Sequence, residues 1–514
     1  MSATAGVAAG HPLTAQAAAD VLHAGGNAFD ASIAAVATAC VCEPVLASLG
    51  GGGFLTAMTA DGELRSYDFF VHTPRNKNPQ GESFYPVEVN FGDATQAFHI
   101  GLGASATPGL VKGLFEVHRD LGRAPLSELF QPAVAHARAG VALNDYQAYL
   151  LGVVAPIYRD TAGARALFCG DARSEALLQK GDRLTFDEMG DLLEVLAIEG
   201  PDLFYRGEVA AAVVEQCRSE GGHLVRDDLA SYDVVRRKPI LTMYRDHQFA
   251  ATPVPSSGGV LIAFALQLLE ATGLRHTSRE SAGHLLTLAQ AMQLTGRARL
   301  RCAPESPDDI LNLLDPDLLG TYQAECAERS AALRGTTHIS VIDRDGNHAA
   351  VTVSNGEGNG HIVPGAGFML NNMLGEEDLN PAGFGAWTCD ERMTSMMAPA
   401  ILRASSGQSW ALGSGGSNRI RSALLQVISN LVDFDLPIDV AIGAPRLHLE
   451  NEHLSIESGF DDAVVHQLAE HFPNPTVFAE HNMFFGGVHA VTRSSRGDIG
   501  GAGDKRRGGC FTPI

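Results

Sequence analysis

One segment limits the folds open to this chain more than any other. It runs Thr336-Thr337-His338-Ile339-Ser340-Val341-Ile342-Asp343, turns at Asp345-Gly346 and returns from Ala349 to Val353. Ile339, Val341 and Asp343 alternate onto one face, and Asp-Gly between two such runs is a strong hairpin signal. The pattern predicts strands at 337–343 and 348–354. A hydroxyl residue heads the first strand, directly after Gly335. A threonine whose own nitrogen is freed holds nucleophile and base in a single residue. Alone, Thr-Thr-His reads as an ordinary hairpin flank; the segments around it give it weight.

Helical patterns dominate the part before the hairpin. Residues 12–23 are alanine-rich and periodic, Gly25-Gly26-Asn27 breaks them, and 28–41 resume. Gly50-Gly51-Gly52-Gly53 then enters a strand at 54–59, with a turn at Asp61-Gly62 and a return at 64–70. Four successive glycines offer no side-chain chemistry, but they let another backbone or a substrate come very close. Helices are expected at 126–139, 186–200, 207–219 and 260–271, with a strand near 241–244 and a stiff loop at 253–259. Residues 303–335 are polar and weakly patterned, as a mobile or cleavable connector would be. Further strands are expected at 367–371 and near 410–412, and a helix at 419–434. Strand-rich layers flanked by helices point to two packed sheets with helices outside. Length suggests about three domains, yet no linker, repeat or low-complexity tract marks a boundary.

Charge narrows the partners. With 37 basic against 59 acidic residues the net charge is −22, which opposes nucleic acid or an anionic membrane, since both need positive surface. The eight cysteines are scattered without a Cys-x-x-Cys, and Cys40 and Cys42 sit in an alanine-rich helical run. They read as reduced core thiols, neither metal ligands nor a disulfide frame. The start of the chain has no basic n-region and no long apolar span follows, so a cytoplasmic, soluble protein is expected. Neither a cofactor nor a metal site is expected. His338 has no second imidazole or thiolate at ligand spacing and reads as structural.

Four segments, in order along nearly the whole chain, resemble the γ-glutamyltranspeptidase family of N-terminal-nucleophile hydrolases. The first is Gly25-Gly26-Asn27-Ala28-Phe29-Asp30-Ala31 with Glu43-Pro44 and the glycine run to Phe54. The second is Ala106-Thr107-Pro108-Gly109-Leu110-Val111-Lys112-Gly113, and the third Pro255-Ser256-Ser257-Gly258-Gly259. The fourth is the Thr336 hairpin with Leu370-Asn371-Asn372-Met373 and Gly413-Ser414-Gly415-Gly416-Ser417-Asn418-Arg419-Ile420. The resemblance implies an α+β, four-layer αββα sandwich with two antiparallel-rich sheets between helical layers. It implies a precursor cut between Gly335 and Thr336 into a large fragment, 1–335, and a small one, 336–514, that stay together as one intertwined domain. Thr336 would be the nucleophile, its freed α-amine the base, and Ser354 a second hydroxyl bonded to it, with an ordinary strand-end serine as the alternative. Gly415 and Gly416 would donate to the oxyanion, with Gly416 and Ser417 as the other register. The partners would be a small amide donor and water or an amine acceptor, with a homo-oligomer open.

The departures from the family concern the donor pocket. Where the family has an arginine for the donor's α-carboxylate, this chain has Phe70, and a phenyl ring cannot replace a bidentate guanidinium. A family glutamine after Asn-Asn is here Met373. Glu376 or Glu377 stands where an acidic residue holds the donor amine, with an acidic surface turn as the alternative. Thr394 and Ser395 match paired hydroxyls, and Asn355 a side-chain amide. Arg75 and Arg392 are candidates for a compensating cation, and His361 for the pocket wall. The expected activity is that of a self-cleaving γ-glutamyl transferase or hydrolase acting on an amide such as glutathione. Two other readings stay open: an enzyme for a non-glutamyl (oxamate-like or cephalosporin-type) amide or an activated C–C bond, and an uncut, non-catalytic homologue. Nucleotide binding is disfavoured, because the glycine run lacks the Gly-x-x-x-x-Gly-Lys-Ser/Thr pattern.

Overall fold

The computed structural model describes residues 3–78, 83–90, 95–301, 307–315, 336–380, 383–450 and 452–514. Gly335 and most of the expected connector at 303–335 lie outside the described residues; within it, Pro307–Leu314 forms a 3-10 stretch.

Two antiparallel sheets form the centre. The first has seven strands in the order Cys510–Pro513, Gly6–Ala9, Thr337–Ile342, His348–Ser354, Gly52–Met58, Leu64–Phe69 and Val235–Arg237. The second has six, in the order Ile499–Gly503, Gly487–Arg493, Ser409–Gly415, Ala400–Ala404, His247–Ala251 and Ile240–Tyr244. Both sheets mix strands from before and after position 336.

The hairpin strand Thr337–Ile342 is buried on both faces, and its alternation sorts two environments. Ile339 and Val341 join the apolar core under the first helical layer. His338 and Ser340 face the second sheet, where Ser340 Oγ donates to the His489 carbonyl at 3.2 Å. Small residues let the sheets approach: Ala8, Ala350 and Ala411 fill the space between them with Ile342 and Val491. At Gly413 a Cβ would collide with the His338 imidazole.

Helices cover the outer faces. Pro12–His23, Ala28–Cys42 and Leu110–Leu121 pack on the first sheet, and Leu126–Ala139 packs on Ala28–Cys42. Every residue of Ala28–Cys42 is buried, which accounts for its alanines and cysteines; Asn27 caps it by accepting from Phe29 N and Asp30 N. Ser257–Glu270 and Arg419–Val432 cover the second sheet, and Ala282–Arg301 packs on Ser257–Glu270. The result is the four-layer αββα sandwich. None of the helices among the described residues is long and apolar enough to cross a membrane. Of the cysteines there, Cys40, Cys42, Cys169 and Cys217 are free and buried, and Cys389 and Cys510 free and half-buried.

Close backbone packing explains the glycine run. A Cβ at Gly50 would lie 2.6 Å from the Met369 carbonyl oxygen and one at Gly52 2.9 Å from that of Phe69, while Gly51 and Gly53 would strike the Ser354 and Thr352 carbonyls. Two expectations fail. Ser257-Gly258-Gly259 is not loop but the first turn of the helix Ser257–Glu270, because Gly258 and Gly259 lie against the carbonyls of Met396 and Thr252. Residues 367–371 form no strand; they make only the isolated bridges Ile362–Met369 and Gly50–Leu370, since Gly367 takes φ +66 and breaks the extended run.

Candidate active site

Hairpin register assembles the site. Thr337 pairs with Val353, so one step further along the antiparallel ladder Thr336 stands across from Ser354. Both are buried, Thr336 with 5% of its surface exposed. Ser354 Oγ accepts from Gly356 N at 3.1 Å, which fixes its rotamer.

The second sheet closes on Thr336 from the other side. Gly415 ends the strand Ser409–Gly415, and a Cβ there would collide with the Thr336 carbonyl. That carbonyl also accepts from Arg507 Nη1 at 3.4 Å. Gly416 at φ +121 and Ser417 at φ +49 turn the chain into the helix Arg419–Val432. The helix start, with its positive dipole end, faces the site through Ser417 and Ile420.

Thr336 opens into a small pocket shared with Ser354, Glu376, Ser395 and Ser417. An apolar wall completes it: Phe70, Met373, Leu379, Met396, Met397 and Ile420. Phe70 is buried and stacked on Phe54 with centroids 5.4 Å apart. Its carbonyl accepts from Tyr232 Oη at 2.7 Å and from Arg392 Nη1. Ser395 Oγ accepts from Met397 N at 3.1 Å. Ser417 Oγ donates to Asp378 at 2.9 Å.

Of the residues singled out from sequence, the fold thus brings Thr336, Ser354, Phe70, Glu376 and Ser395 to one cavity. Several others fall elsewhere. Glu377 is exposed while its neighbour Glu376 is buried: Glu376 is the extended residue between the 3-10 turns Met373–Gly375 and Glu377–Leu379, and Glu377 opens the second of them. Thr394 does not line the pocket; its hydroxyl donates to the Pro255 carbonyl at 2.8 Å. Asn355 lies behind the lining, fully buried, its Nδ2 on the Leu370 carbonyl at 3.5 Å. His361 pairs with Glu220 at 3.2 Å, away from Thr336. Gly415 borders Thr336 and Gly416 lies against Gly486 and Arg507, but the lining residue is Ser417. Arg75 and Arg392 face a different cavity, one lined also by Tyr232 and Asp390. Arg392 is spent there on Phe70, Tyr232 and the Asp233 carbonyl, and Arg75 on Asp390 at 3.2 Å.

Two supports escaped the sequence reading. Glu43, fully buried, accepts from Thr337 Oγ1 at 2.7 Å and Thr14 Oγ1 at 2.8 Å. Burial pushes its carboxyl up despite those two bonds. The Glu43-Pro44 pair was visible, but nothing local linked it to Thr337. Arg507 is 171 residues from its partner Thr336, and no sequence periodicity reaches that far. His338 is structural: its ring bonds Thr352 Oγ1 at 2.7 Å and Ser340 Oγ at 2.9 Å, and burial holds it neutral, well below the ordinary histidine range.

With this geometry in place, likeness to known proteins is informative. The family model described as gamma-glutamyltranspeptidase matches residues 14–514. A glutathione hydrolase proenzyme of Pseudomonas aeruginosa is 31% identical over 470 residues, covering 86% of this chain and 82% of the relative. An acylase ACY 1 proenzyme of Pseudomonas sp. strain SE83 is 30% identical over 526 residues, covering 99% and 93%. The crystal structure of a cephalosporin acylase from Bacillus halodurans shares the fold, with a TM-score of 0.85 at 23% identity over 99% of this chain and 96% of that one. A match over nearly the whole length, on a sandwich that puts a threonine at the head of a central strand, makes the chain a member of the gamma-glutamyltranspeptidase family.

Proposed function

We propose that this enzyme cuts itself before Thr336 and then uses the exposed threonine to transfer acyl groups from amides. Family membership gives the reaction type, γ-glutamyl transfer or acyl amide hydrolysis. The observation that carries the assignment of residues is the placement of Thr336: buried at a strand head, opposite Ser354 and open to the one cavity that also holds Ser417, Ser395 and Glu376.

In the first step Thr336 Oγ attacks the carbonyl of residue 335. The peptide C–N bond breaks as the ester forms, and the proton given up by Oγ goes to the nitrogen, which becomes an α-amine. Water opens the ester, leaving a carboxylate on residues 1–335 and a free amine on 336–514. An α-amine has an unperturbed pKa of about 7.7–8.0, suited to general-base work near neutral pH. It takes the Oγ proton as Oγ attacks the donor amide, then hands that proton to the departing amine. Water or a second amine releases the acyl group. Ser354 orients Oγ, and the backbone N–H groups of Gly416 and Ser417 at the helix start receive the oxyanion; one such donor is worth about 3 kcal/mol. That both relatives are named as proenzymes supports the cut.

Denaturing electrophoresis tests the reading. Divided in proportion from 54.2 kDa, the cut enzyme gives bands of about 35 and 19 kDa. Thr336→Ala gives one uncut band and no amidase activity. A single band from active wild type would refute the proposal.

A further inference from the structure

We infer that Asp378 is a positioning residue for the oxyanion: its carboxylate holds Ser417 in the left-handed backbone conformation that sets the turn into the helix Arg419–Val432. The inference rests on the reading of Thr336 as nucleophile and of the Gly416 and Ser417 N–H groups as oxyanion donors. It concerns what keeps those donors in place.

A left-handed backbone is strained for serine and not for glycine, because a Cβ crowds the neighbouring carbonyl. Seven non-glycine residues take positive φ among the described residues, and of these Ser417, at φ +49, is the one that lines the pocket beside Thr336. Such strain persists only where the surroundings over-determine it. Here they act from two directions. The carbonyls of Gly416 and Ser417 accept from Arg419 N and Ile420 N, each at 3.0 Å, so the helix start fixes the chain beyond the turn. From across the pocket, Asp378 Oδ2 accepts from Ser417 Oγ at 2.9 Å. Asp378 sits in the 3-10 turn Glu377–Leu379, 39 residues earlier in the chain. That turn is itself clamped: Asn380, buried, donates through Nδ2 to the carbonyls of Glu376 at 2.7 Å and Met373 at 3.0 Å. Ser417 is thus tied to a stiff anchor, and by a bond to a carboxylate, which is stronger than one between neutral groups.

Released from Asp378, residue 417 would relax toward negative φ and swing the peptide planes beside it. The oxyanion forms only as Thr336 Oγ adds to the donor carbonyl. Displaced N–H groups therefore weaken the transition state and leave donor binding nearly as it was. Loss of Asp378 belongs in kcat rather than KM, and it matters only while residue 417 carries a Cβ.

That last condition supplies the test. γ-Glutamyl- and butyryl-p-nitroanilide are given to wild-type enzyme whose cut has been checked on a gel, and the faster probe is kept. Asp378→Ala is expected to lower kcat about tenfold with KM within about twofold. Asp378→Asn, which keeps an acceptor oxygen, retains at least about a third of kcat. In a Ser417→Gly background, Asp378→Ala changes kcat by no more than about twofold, since glycine holds φ +49 without help. If Asp378→Ala leaves the precursor uncut, the same comparison is made on self-cleavage, whose addition step also forms an oxyanion; Ser417→Gly then restores the cut. Equal losses in both backgrounds, a loss confined to KM, or no loss in either would overturn the role of Asp378 and leave Thr336 standing. Cut wild-type enzyme inert on both probes, or activity from an uncut chain, would instead overturn the reading beneath it.

Discussion

At the scale of single residues, the site depends on contacts with no room to spare. The Thr336 carbonyl lies against the α-carbon of Gly415 and accepts from Arg507 Nη1. A methyl at 415 would displace Thr336 from Ser354 and from the helix start, while touching no part of the pocket wall. Gly415→Ala is expected to slow self-cleavage by about five- to 150-fold, an overpacking effect of about 1–3 kcal/mol placed beside the reacting atoms. Pulse–chase of precursor into fragments measures it; processing at the wild-type rate would show that this contact does not position Thr336. Phe70 illustrates how far a residue can be read unaided. Its departure from the family's arginine was plain in the sequence, and its place in the wall followed. That Arg392 grips the Phe70 carbonyl instead of the pocket required the three-dimensional path, because the two are 322 residues apart.

At the scale of elements, local pattern served best where pairing is local. The hairpin came out as Thr337–Ile342 and His348–Ser354, close to the expected 337–343 and 348–354, since an Asp-Gly turn fixes register by itself. Thr336 opposite Ser354 is a consequence of that arithmetic. Short strands paired over long distances were invisible: Gly6–Ala9 lies between Thr337–Ile342 and Cys510–Pro513, and four residues carry too little alternation to be recognised. Glycines misled at the start of Ser257–Glu270, where they read as a loop but serve close packing of the first helical turn on the Met396 carbonyl. That packing sets Met396 and Met397 in the pocket wall. Gly258→Ala should lower stability by about 1–3 kcal/mol and raise KM, read from the urea midpoint and steady-state kinetics. An unchanged midpoint would mean that the helix can shift without cost.

At the scale of the whole molecule, two sheets are woven from strands on both sides of the proposed cut. Separated fragments would each expose half of a shared core, so after the proposed cut the two are expected to stay together. The buried histidines give the sandwich a particular acid response. Burial holds His348, His448 and His489 each at about 4, whereas the unfolded chain titrates them near 6.5. Between pH 6.5 and 4 the unfolded state takes up protons that the folded state refuses, so stability falls as pH falls, by up to about 1.4 kcal/mol per pH unit for each histidine. Burial raises Asp504, but the Arg446 and Arg506 guanidiniums more than reverse this and hold it at about 2, which adds a further loss below pH 3.8. Glu43, raised by burial, works the other way as a single group. The urea midpoint is therefore expected to be lower at pH 5 than at pH 7; an equal or higher midpoint would contradict the assignment of neutral buried imidazoles.

The central claim is that position 336 becomes a chain terminus and that its oxygen does the chemistry. Stepwise N-terminal sequencing of the smaller polypeptide from an active preparation tests this most directly. The account predicts Thr-Thr-His-Ile-Ser as the first five residues. Any other first residue, or full activity from a chain still continuous through 336, would contradict it.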